Sequence, residues 1–137
     1  MRITLTRASV TMGDDADAPH FADLDVPADA SLDAVLWAVD AMRYHHVHAG
    51  GWTTWTVYFG FSRGESSRSL AVLNHHRAAY LEDPDSGLTQ LAGGGPVDLY
   101  LEYEGGADLE TLRDRLLNGR RATAVKSFEP VGEPAGE

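Results

Sequence analysis

VPADASLDAVLWAV, residues 26–39, decides how this chain is read. Val26 closes an alternating stretch, His20 to Val26. Ala22, Leu24 and Val26 share one face of it, and Asp23 and Asp25 share the other, the period-two pattern of a half-buried strand. Ser31 is a good N-cap, and Asp33 sits in the first turn, where a negative charge favours the helix dipole. Leu32, Val35, Leu36, Val39 and Met42 then recur at helical spacing and predict one apolar stripe, with Gly50 or Gly51 as the stop. The stretch is therefore a passage from strand to helix.

Upstream, residues 1–12 read as a strand. Ile3 and Leu5 alternate with Thr4 and Thr6, and a phase shift toward Ala8, Val10 and Met12 suggests a bulge. GDDADAP (residues 13–19) is a turn, so the first two strands are expected to form a hairpin. Downstream the period returns to two. Trp55, Val57, Phe59 and Phe61 share a face opposite Thr54, Thr56 and Tyr58. SRGESSRS is a polar turn, and Leu70 to Leu73 is a short apolar run read as a fourth strand. Residues 77–95 show no clear period: RAAYLED suits one helical turn, while DPDSG and GGG suit loops. Val97, Leu99, Leu101 and Tyr103 alternate with Asp98, Tyr100, Glu102 and Glu104 as a last strand. Asp108 to Asn118 predicts a short helix with Leu109, Leu112 and Leu116 inward and Gly119 at its end.

This order, hairpin, helix, then further strands, predicts an α+β fold with a mixed sheet (β-β-α-β-β-β) packed on one main helix, plus a short C-terminal helix. The segments VPADASLDAVLWAV and PVDLYLEYEGG (residues 96–106) resemble the helix entry and the last strand of the β-grasp, or ubiquitin-like, fold. The resemblance covers residues 1–106 and implies a scaffold that hosts many functions. In ubiquitin-like modifiers and sulfur carriers the paired glycine ends the chain. Here Gly105 and Gly106 are followed by residues 107–137, so they read as a turn. Residues 107–128 are expected to pack on the core as a helix and extension, and 129–137 to form a flexible tail without core residues.

The charge is −10, from 21 acids against 11 bases, which argues against nucleic acid and suits either a protein partner with a basic surface or solubility alone. Five bases fall between Arg113 and Lys126, leaving the remainder more acidic still. The absence of cysteine excludes disulfides and thiolate sites. The N-terminal residues lack the apolar run of a signal peptide, and no stretch approaches a membrane span, so a cytoplasmic protein is expected.

No G-x-S-x-G elbow, P-loop or dinucleotide fingerprint occurs, and no catalytic residue stands out. Asp14, Asp15 and Asp17 lack calcium-loop spacing. Two readings compete for the rest. In the first, Tyr58, Tyr100, Asp98, Glu102 and Glu104 form an acidic, aromatic sheet surface that binds a basic protein without a cofactor, as a small acidic inhibitor would. Its rival is a second core under the C-terminal helix. In the second, His45 and His48, sharing a helix face, combine with His75 and His76 to hold a divalent transition metal such as zinc. An ordinary helix end and strand end explain the same histidines. A homo-oligomer joined through strand edges is a third possibility.

Overall fold

A computed structural model describes residues 1–7, 21–42, 53–60, 68–74, 77–94, 97–121 and 124–128. The elements are β1 (Arg2–Arg7), β2 (Phe21–Asp25), α1 (Leu32–Ala41), β3 (Trp55–Phe59), β4 (Ser69–Asn74), β5 (Arg77–Tyr80), α2 (Leu88–Leu91), β6 (Asp98–Tyr103), α3 (Leu109–Leu117) and β7 (Val125–Ser127). The fold is α+β, with one seven-stranded mixed sheet in the order β2-β1-β6-β3-β4-β5-β7. β1 and β2 form the expected antiparallel hairpin. β6 pairs in parallel with β1 and antiparallel with β3.

The passage through Ser31 forms as its residues require. Ser31 Oγ accepts from the Ala34 amide at 3.1 Å. The 83–87 turn satisfies two further amides of the helix start, with Leu32 N–H donating to Ser86 O and Asp33 N–H to Pro84 O, each at 2.9 Å. A helix start leaves such donors free, so the turn locks α1 in place by supplying acceptors. Leu32, Val35, Leu36 and Val39 are buried as predicted, together with Asp40. Met42 departs from the predicted stripe. The helix ends at Ala41, Met42 occupies the C-cap, and its side chain stays 41% exposed. The proposed stop at Gly50 or Gly51 lies outside the described residues.

α1 covers the front of the sheet. Ile3, Leu5, Trp55, Val57, Leu73, Leu99 and Leu101 meet Leu32, Val35, Leu36 and Val39 in the main core. α3 covers part of the rear, where Leu109, Leu112 and Leu117 pack on Val72, Ala79 and Leu81. Leu116, predicted inward, lies at the margin of this cluster. The sheet is thus sandwiched between helices at β4 and β5, which explains an ambiguous segment. RAAYLED, ambiguous by its sequence and suited to one helical turn, holds strand β5 at Arg77–Tyr80, with Ala78 and Tyr80 toward the front core and Ala79 toward the rear. A strand buried on both faces has no polar phase, so its apolar run shows no period. α2 and β7, also unforeseen from the sequence, are only four and three residues long.

Polar bonds pin these layers. Buried Tyr80 donates to Asp33 Oδ1 at 2.6 Å, and Lys126 Nζ lies 3.6 Å from Asp33 Oδ2, so α1, β5 and β7 meet at one carboxylate. Burial first, and then the Asp33 bond and the nearby Asp33 and Asp85 charges, push Tyr80 ionisation well above the ordinary phenol range. At the other end of α3, Glu82 accepts a bidentate pair from Arg68 and a further bond from Arg120. Asp108 caps α3, with Oδ2 accepting from the Thr111 amide at 3.0 Å and the Thr111 hydroxyl at 2.8 Å.

Trp55 is fully buried, its ring 5.2 Å from that of Tyr103 and under the Arg7 guanidinium at 5.8 Å, and its indole N–H donates to Thr53 Oγ1. Trp55→Ala is expected to cost about 3–5 kcal/mol in urea denaturation. The bonds from Thr111 hold the Asp108 carboxyl below its ordinary value of 3.8. A lowered folded-state value adds stability above the unfolded pKa, and that stability is lost as pH falls through the folded one. Asp108→Asn should therefore be less stable than wild type at neutral pH. The gap should close in thermal melts taken progressively below pH 3.8.

Candidate functional site

The register places the rear-face residues with little freedom. Front-facing Leu5, Leu99, Leu101 and Val57 lie in the core, so their strand neighbours point to the rear. Across β2, β1 and β6 the rear pairs are Asp25 with Arg2, Asp23 with Thr4, Thr4 with Asp98, and Thr6 with Tyr100. Across β6 and β3 they are Glu102 with Thr56 and Tyr100 with Tyr58. On β4 and β5 the same face turns apolar, with Val72 and Ala79 under α3. The rear of the sheet is therefore divided, covered by α3 on one half and carrying carboxylates on the other.

Of the residues expected on this surface, Asp98, Tyr100, Glu102 and Glu104 are each partly exposed. Tyr58 is not a surface anchor. It is 5% exposed, buried like Thr54 and Thr56 on the same face of β3. The second core forms over β4 and β5, and the carboxylates lie on the strands beside it. The remaining carboxylates are held in place. Buried Thr56 donates to Glu104 Oε2 at 2.6 Å, and the Tyr100 hydroxyl donates to Glu102 Oε2 at 3.1 Å. Thr54 orients the strand end. It exchanges backbone bonds with Glu104 and Gly105, each 2.8 Å, and its hydroxyl donates to Ala107 O at 2.6 Å. Gly105, at φ 66°, makes the turn into α3 that its sequence suggested.

Asp23 and Asp25 also belong to the acidic face. Their alternation in β2 is legible, but joining them to β6 requires β1 between the two. β1, β2, β3 and β6 contribute one base to this face, Arg2, which lies 3.6 Å from Asp25. Arg7 faces the other way, over Trp55.

A cleft of about 390 Å³ opens on the same side at the start of α3, lined by Thr54, Asn74, Arg77, Gly106, Ala107, Asp108 and Leu109. Its charged groups are engaged locally, Asp108 by Thr111 and Arg77 by Glu110 at 3.2 Å. His45, His48, His75 and His76 lie outside the described residues. Among the described residues, no three His, Asp or Glu side chains gather as metal ligands, and no helix is long and apolar enough to cross a membrane.

The chain matches no protein-family model, no curated protein and no solved structure at a significant level.

The Thr56–Glu104 bond predicts a modest structural effect. Thr56→Val should lower stability by about 1 kcal/mol in urea denaturation, as expected for one hydrogen bond with a partly solvated acceptor.

Proposed function

We propose that this protein is a non-enzymatic protein–protein interaction module on a β-grasp scaffold, which binds a basic protein through the open half of its rear face. A small acidic inhibitor of a basic protein is the concrete form of that role. The scaffold reading is supported by the order of hairpin, helix and hairpin, and by a late strand set parallel to β1 at the middle of the sheet. The binding reading rests on one observation: Asp23, Asp98, Glu102 and Glu104 share a face with half-exposed Tyr100, and the strands there contribute only Arg2 as a base. Such a field speeds encounter with a cationic partner, and the tyrosine supplies apolar contact once the two meet.

The rival assembly through sheet edges finds less support. The β2 edge carries exposed Asp23 and Asp25, which oppose pairing with a like-charged strand, and the β7 edge is three residues long.

The decisive variant is Asp98→Asn/Glu102→Gln/Glu104→Gln, tested for association with an Arg-rich peptide by stopped-flow at low and at physiological salt. Association should slow by roughly tenfold at low salt, and its salt dependence should flatten. An unchanged rate in a folded variant would sink the surface assignment.

A further inference from the structure

α1 is ten residues long, LDAVLWAVDA, and is followed by Met42 at the C-cap. Its inner arc is the expected core stripe. The outer arc is where an amphipathic helix ordinarily places charge. Here that arc holds Ala34, Trp37, Ala38, Ala41 and Met42, with Asp33 at its border and no other charge. Asp40, the only other charged residue of the helix, is buried on the inner side. Scattered exposed apolar residues need no explanation. These are not scattered: Trp37, at 38% exposed, and Met42 are the two large apolar side chains that the described residues leave exposed, and both belong to α1. Trp37 is held from one side by Phe128, their ring centroids 5.6 Å apart, so its outer surface is presented in a fixed orientation.

The surroundings indicate what would cover this face. Exposed Asp29, Asp83 and Asp85 lie with Asp33 at the N-terminal end of the helix, because the 83–87 turn is bonded to the first turn of α1. Among the described residues, Lys126 is taken up by Asp33, and Arg68 and Arg120, which reach Glu82 beside Asp83, are taken up by Glu82. A second copy of the chain fits poorly. Two molecules at −10 repel, and a helix about 15 Å long cannot bury the roughly 800 Å² per partner typical of a stable dimer. A single amphipathic helix needs less area and can meet the charge. The alanines permit close approach of its backbone, and Trp37 and Met42 supply the flanking anchors.

We propose that the outer face of α1 is a docking site for a basic amphipathic helix of a partner protein, seated on Ala34, Trp37, Ala38, Ala41 and Met42 with its cationic end at Asp29, Asp83 and Asp85. The site lies across the sheet from the acidic rear face, so it is a second and independent surface.

The test titrates a fluorescently labelled Leu/Lys peptide designed as an amphipathic helix, and its Leu/Glu counterpart, into the full chain, following anisotropy. The Leu/Lys peptide should bind and the Leu/Glu peptide should not. Trp37→Arg/Ala41→Arg should weaken binding by about tenfold or more. The Asp98→Asn/Glu102→Gln/Glu104→Gln variant should leave it within about threefold. Ala34→Arg, which alters only an exposed position, serves if the double variant does not fold. Failure of the Leu/Lys peptide to bind, or undiminished binding by the α1 variants, would overturn the proposal. So would equal binding of the Leu/Glu peptide, or loss of binding in the rear-face variant instead, which would return the peptide to the acidic sheet surface. Self-association of the wild-type chain that the α1 variants abolish would assign the face to a second copy and likewise overturn it.

Discussion

Strand β6 lies between β1 and β3, and the rest of the architecture depends on those two pairings. Without it the β1–β2 hairpin would be a separate two-stranded ribbon, marginal in water, cut off from the β3–β4–β5–β7 group. β6 meets both demands with one alternation. Leu99 and Leu101 face α1 and fill the centre of the main core, while Asp98, Tyr100 and Glu102 face the rear. The antiparallel pairing with β3 places the end of β6 beside Thr54, whose hydrogen bonds hold the Gly105 turn from which α3 runs onto the rear of β4 and β5.

That placement of α3 accounts for the division of the rear face. The helix spans nine residues and cannot cover a sheet of seven strands. It settles over the strands whose rear residues are apolar, Val72 and Ala79, and is fixed at its far end by Arg120 and Arg68 on Glu82. The other strands carry threonine, tyrosine and carboxylates at the same positions, buried on β3 and partly exposed on β6. On the front, α1 has the reverse character, apolar on its outer arc as well as its inner one.

Much of this was legible in the chain. Period-two alternation located β1, β2, β3 and β6. Helical spacing and the caps Ser31 and Asp108 located α1 and α3, and the glycine pair marked the turn between β6 and α3. These signals are local: each comes from side chains that alternate between core and water along one element. The same logic failed at RAAY, where α1 and α3 bury both faces and erase the alternation, and at β7, where three residues hold no period.

The sequence by itself determined the α+β class, the hairpin, both longer helices, the acidic charge and the acidic phase of β6, because each is written in neighbouring residues. Only the tertiary structure decided which strands became neighbours. It thereby joined Asp23 of β2 to Asp98 and Glu102 of β6, buried Tyr58 while leaving Tyr100 half exposed, and left Trp37 and Met42 of α1 exposed. The reason is that strand pairing is a contact between distant segments, selected by which sheet order buries the most apolar surface at once. No single segment carries that information.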